Sequence, residues 1–71
     1  MASLGTQVAV VEVSSVTVMR GDVINIGGQP FKVVDLTELP GRAKRLHFVT
    51  GETLTMHSST QLSAVRTARR R

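Results

Sequence analysis

Apolar residues recur at every second position over most of this chain, and the interruptions fall at glycine, proline and serine. That period marks strands with one face buried and the other in water. The clearest instance spans residues 20–35, where Ile24 and Ile26 on one arm and Phe31 and Val33 on the other flank Gly27-Gly28. A two-residue loop of this kind supplies the positive φ angles that match strand twist, so the arms form a tight β-hairpin with Ile24 facing Phe31.

Upstream, residues 7–13 put Ala9, Val11 and Val13 on one side and Val8, Val10 and Glu12 on the other. Both faces are largely apolar, so this strand needs cover on both, or a partner. Ser14-Ser15 breaks the pattern, and residues 16–19 read as a resumed extended segment. Past the hairpin, the adjacent apolar Val33 and Val34 point to a bulge where one strand passes between two sheets. Pro30 belongs on an edge, because it cannot donate to a ladder. Pro40-Gly41 marks a loop, with Arg42 and Lys44 at or beside its tip.

Residues 44–49 alternate with Leu46 and Phe48 inward and Arg45 and His47 outward; the next strand sets Leu54 and Met56 inward. A two-residue Thr50-Gly51 turn would place His47 opposite Leu54. A three-residue loop, Thr50-Gly51-Glu52, instead pairs Phe48 with Leu54 and Leu46 with Met56, keeping the faces consistent. Residues 58–60 form a short turn, read as one 3₁₀ turn. Residues 62–66 then fit either a helix, with Ser58 and Gln61 as a capping box, or a last strand. The strand reading is preferred because the preceding β elements leave edges that need a partner.

The expected fold is all-β: a small SH3-like barrel of five or six antiparallel strands with a short 3₁₀ turn before the last. Its core draws on Val11, Val13, Val23 or Ile24, Ile26, Phe31, Val33, Leu46, Phe48, Leu54, Met56, Leu62 and Val65. Residues 1–66 form one domain, with 1–6 loose and 7–19 an N-terminal extended segment. Residues 67–71 are a flexible basic tail.

Composition narrows the classes. With 71 residues the chain buries about 60% of its unfolded surface, a small core. It has no cysteine, hence neither disulfide nor thiolate metal site, which is compatible with the cytoplasm, the expected location. No apolar run approaches the roughly 20 residues of a membrane span. The Val-rich start lacks the basic region and cleavage site of a secretory signal. The net charge of +4 is unevenly placed: residues 1–65 carry five cations and five anions, and the excess is Arg66, Arg69, Arg70 and Arg71.

Residues 20–24, Arg-Gly-Asp-Val-Ile, followed by residues 28–34, Gly-Gln-Pro-Phe-Lys-Val-Val, resemble the first domain of translation elongation factor P and its KOW-like relatives. The chain is also similar to small uncharacterised SH3-like proteins of actinobacteria. The first resemblance covers residues 20–36. It implies the barrel and suggests nucleic-acid or ribonucleoprotein contact. It does not carry over the peptide-bond role, since the loop at residues 39–44 is short and lacks the Gly-Lys-Gly pattern whose lysine reaches into the ribosome.

No catalytic set is visible. His47 and His57 with Glu52 match no metal-ligand spacing, Ser58, Ser59 and Asp35 lack a nucleophile elbow, and Gly27-Gly28 is followed by no helix. No cofactor is expected. Two phenylalanines, both needed inside, leave no aromatic groove for proline-rich peptides, no methyl-lysine cage and no base-stacking platform. What remains is a non-enzymatic binding module. The leading expectation is contact with nucleic-acid phosphates through Arg42, Lys44, Arg45, Arg66, Arg69, Arg70 and Arg71. The alternative is an adaptor that homodimerises through Val8, Val10, Val11 and Val13.

Overall fold

The Gly27-Gly28 turn forms as its sequence demands, with φ of 59° and 82° at the two glycines. It joins β2 (Val23–Ile26) to β3 (Gln29–Leu39), with Ile24 opposite Phe31 and Ile26 opposite Gln29. The computed structural model of the chain describes residues 6–69. Its other strands are β1 (Thr6–Val13), β4 (Ala43–Phe48), β5 (Thr53–Met56) and β6 (Leu62–Arg69). All pairings are antiparallel, in the order β1-β6-β2-β3-β4-β5. Of the loose end expected at 1–6, Thr6 belongs to β1, where it pairs with Arg69, and residues 1–5 lie outside the described residues, as do the tail residues 70 and 71.

The apolar first strand is covered by the chain's own last one. β1 pairs with β6 from Thr6↔Arg69 to Val13↔Leu62, so residues 62–69 are strand. β6 thus runs past the boundary expected at residue 66. β2 reaches only Val65 and Ala64 of β6, so the outer halves of β1 and β6 project as a two-stranded ribbon. The molecule accordingly measures 46 × 22 × 19 Å.

β3 serves both halves of the sheet. Its first part pairs with β2 and its second with β4, and the register shifts between Val33 and Asp35, leaving Val34 as the bulged residue. A bulge lets two consecutive valines exist in one strand: Val33 is buried and Val34 points out. Pro30 lies where β3 has no β4 beside it, so its missing N–H disturbs no ladder. The sheet coils until Val13 of β1 and Met56 of β5 share one core with Val18, Ile24, Val33, Leu46, Phe48 and Ala64. Among the described residues no ladder joins β5 to β1. Phe31 and Phe48 pack against each other with their rings tilted by 46° and their centroids 5.3 Å apart.

Four expectations change. Residues 16–19 are not extended. The carbonyl of Ser14 accepts from Thr17 N–H and Val18 N–H, while Ser14 N–H donates to Thr17 Oγ1 at 2.8 Å. Serine and threonine side chains compete locally with a ladder in this way, and the turn leaves Val16 exposed while it buries Val18.

The 3₁₀ turn lies at Pro40–Arg42, between β3 and β4, rather than before β6. The segment before β6 is an ordinary turn in which His57 N–H donates to Thr60 Oγ1 and Thr60 N–H to the carbonyl of His57. Arg42 at the end of the 3₁₀ turn has φ 63°, and its carbonyl accepts from the buried Ser15 hydroxyl at 2.6 Å.

The β4–β5 register slips by two residues: Leu46 pairs with Leu54, not Met56. The loop still has three residues, but they are Val49-Thr50-Gly51, closed by Phe48 N–H on the carbonyl of Glu52. Gly51 (φ 93°) takes the left-handed third position that such loops require. A two-residue slip leaves every side chain on its own face, so burial could not choose the register; the glycine did.

Finally, Val65 faces outward beside Val10 and Val23, and Ala64 takes the core position.

Candidate anion-binding cleft

Gly21 (φ 92°) turns the chain into β2 and brings Asp22 into the body, where it is 1% exposed. The carboxylate is fully engaged. Arg66 donates from Nε to Oδ1 at 2.9 Å and from Nη2 to Oδ2 at 2.8 Å, and Met19 N–H donates to Oδ2 at 3.0 Å. Arg66 Nη2 also donates to the carbonyl of Thr17 at 3.0 Å. Burial alone would raise the Asp22 pKa, but the Arg66 hydrogen bonds, the Met19 N–H and the guanidinium charge together hold it below the ordinary carboxylate value. Those same hydrogen bonds to Asp22 push Arg66 further up against the opposing effect of burial. A bidentate guanidinium–carboxylate pair of this geometry is among the stronger polar contacts a fold makes. It clasps the last strand to the segment that opens β2.

Around this clasp lies an open cleft of about 320 Å³, lined by Met19, Arg20, Gly21, Asp22, Lys32, Arg66 and Thr67. Arg20 and Lys32 are exposed, Lys32 on the outer face of β3 opposite Val23. Three cations and one carboxylate therefore line the cleft, and both oxygens of that carboxylate are already taken by Arg66 and the Met19 N–H. Among the described residues Arg20 and Lys32 have no ion-pair partner, so the cleft carries two unpaired positive charges. Arg20 and Lys32 were absent from the sequence-based set because the neutral count over residues 1–65 hid them: Asp22, formally their counterweight, is consumed by Arg66.

The sequence-predicted residues divide. Arg66 is tied to Asp22 rather than free, although its side chain stays 33% exposed at the cleft wall. Arg42 and Arg45 are exposed, Arg45 on the outer face opposite Thr37 and Thr55. Lys44 does not join them. It shares the core-facing side of β4 with Leu46, its side chain is 15% exposed, and its Nζ lies 4.0 Å from Glu38 Oε2. A smaller hollow of about 220 Å³ beside Ser15, Arg42 and Lys44 also contains Glu38, which offsets its charge. The side chain of Arg69, and Arg70 and Arg71, lie outside the described residues. Of the four valines on β1, Val13 is in the core and Val11 packs against it, whereas Val8 and Val10 are exposed.

His47 Nε2 sits 2.8 Å from Thr37 Oγ1, and His57 is exposed. Among the described residues no three histidine or acidic side chains gather as a metal site. Among them, too, no helix is long and apolar enough to cross a membrane. In comparisons with known proteins, no family model matches this chain, and no curated protein or solved structure matches it.

Proposed function

We propose that this chain is a small non-enzymatic binding module of the cytoplasm that holds the phosphate backbone of nucleic acid, free or within a ribonucleoprotein. The observation that carries this reading is the convergence of Arg20, Lys32 and Arg66 on one cleft whose carboxylate already has both oxygens hydrogen-bonded. Arginine and lysine beside an open cleft suit phosphate oxygens, and guanidinium adds bidentate geometry. Both phenylalanines pack against each other at the core, so bases have no aromatic platform to stack on. Contacts of this kind position a backbone without reading sequence. Arg69, Arg70 and Arg71 follow Arg66 within five residues and extend the same cation series along the chain. The hairpin resemblance to elongation factor P points the same way without its peptide-bond role.

Fluorescence anisotropy with a labelled duplex across a salt series tests this. Each phosphate neutralised contributes about −0.9 to the slope of log K against log salt on duplex DNA. Arg20→Gln with Lys32→Gln should lower the slope magnitude by about 2 while leaving the fold intact, because both side chains are exposed. No binding by the native chain at low salt would reject the proposal, as would an unchanged slope in the double variant. The exposed Val8 and Val10 favour a second reading, self-association, which is independent of the cleft.

A further inference from the structure

Strand β1 has β6 along one side and no strand along the other among the described residues. The ladder fixes which backbone groups face that open side. A two-residue hairpin closes on a hydrogen-bonded pair, here Ile26 with Gln29, so Asn25 and Pro30 form a non-bonded pair, consistent with the missing N–H of Pro30. The bond from Val33 N–H to the carbonyl of Asp22, at 2.9 Å, has the same phase. Val23 therefore aims its N–H and C=O at β6, where it meets Val65. Ala64 and Arg66, on either side of Val65, aim theirs at β1, where they meet Val11 and Ala9. Thr6, Val8, Val10 and Glu12 are left with their backbone donors and acceptors on the open edge.

The same alternate positions carry the exposed side chains of Val8 (67%) and Val10 (76%). Natural edge strands are protected by lysine, proline, bulges or brevity. β1 has eight residues in unbroken register with β6, no lysine, no proline, and Glu12 as its one charge.

We propose that this edge is covered by β1 of a second copy, antiparallel about a two-fold axis through Ala9. Such a contact is isologous, each strand supplying the same residues to the other. An axis at Ala9 sets Val8 against the partner's Val10, Val10 against the partner's Val8, and Glu12 against the partner's Thr6. Four exposed valines close over one another, and neither Glu12 is set against a valine. The neighbouring registers are worse. An axis at Val10 sets Glu12 against the partner's Val8, and one at Val11 sets it against the partner's Val10. An axis at Val8 sets Val10 against the partner's Thr6. Charge and burial thus select one register, and that register pairs the strand with itself.

The chain has no cysteine, so a single introduced one reports this contact cleanly. In the proposed register Ala9 lies opposite its own copy in a non-hydrogen-bonded pair, with Cα atoms about 4.5 Å apart. That is inside the range a disulfide spans, whereas Val8 lies two positions from its own copy, beyond the limit of about 7 Å. Ala9 is exposed, so Ala9→Cys disturbs no core contact. Light scattering of the full native chain, free of nucleic acid, should give the mass of a dimer that dissociates on dilution. Under mild oxidation Ala9→Cys should become a covalent dimer while Val8→Cys stays monomeric on a non-reducing gel. A monomeric mass at every concentration would overturn the proposal. So would crosslinking of Val8→Cys as fast as Ala9→Cys. Because no nucleic acid is present, neither result bears on the cleft.

Discussion

Replacing Arg66 with methionine should destabilise the fold by about 3 kcal/mol and reverse the sign of its acid dependence. Methionine keeps the apolar stem and removes the guanidinium that occupies both oxygens of the buried Asp22. Breaking a buried pair from one side typically costs about 3–5 kcal/mol, and the partial exposure of Arg66 to water places this pair at the lower end. In the native chain the Asp22 pKa is depressed. Its contribution is therefore full above the ordinary aspartate value near pH 4 and is lost as pH falls through the lower folded value. In the variant only the Met19 N–H remains to oppose burial, so the folded pKa rises above the unfolded one. Stability is then lost as pH rises through the acid range. Thermal melts of both chains between about pH 3 and about pH 7 test this: the difference between them should widen toward neutrality and shrink in acid. A constant difference would show that Asp22 does not depend on Arg66.

Leu46→Ala should be as damaging, by about 3–4 kcal/mol, with no pH signature. Leu46 is fully buried and lies between Leu36 on β3 and Leu54 on β5, in the middle of the half-sheet that follows the Val34 bulge. Truncation removes transfer energy and leaves a cavity that neighbouring strands, held by their ladders, cannot collapse into. A chain of this length has roughly 4–10 kcal/mol of total stability, so the variant should melt about 15–25 °C lower. Calorimetry of the two chains checks it, and a shift under about 5 °C would mean the core is not built around this position.

What was legible in the sequence was what local chemistry fixes. Gly27-Gly28 specified both the turn and the Ile24–Phe31 register, because only that register gives a two-residue loop. The Val33-Val34 pair announced its bulge, since period two cannot bury both. Where two arrangements satisfy the same face pattern, burial was silent, as at the β4–β5 register, and the position of Gly51 decided. The last strand was obscured for a different reason. Its inward positions are Leu62, Ala64 and Arg66, a series whose apolar character fades to a charge, so Val65 looked like the core residue. Arg66 reads as inward only once Asp22 is known to be buried across from it, 44 residues away in sequence. The same long-range pairing concealed the cleft, because charges counted along the chain cancelled its cations against carboxylates that include Asp22, whose charge is already taken by Arg66.

We propose that phosphate is held at Arg20 and Lys32, beside the Arg66–Asp22 pair, rather than at Arg42 and Arg45. Amide chemical shifts of the isotopically labelled chain, followed while a short duplex is added at low salt, test it most directly. The first and largest changes should fall at Gly21, Asp22, Lys32 and Thr67 and should vanish as salt is raised. Changes centred on Gly41, Arg42 and Arg45, with the cleft amides unmoved, would contradict it.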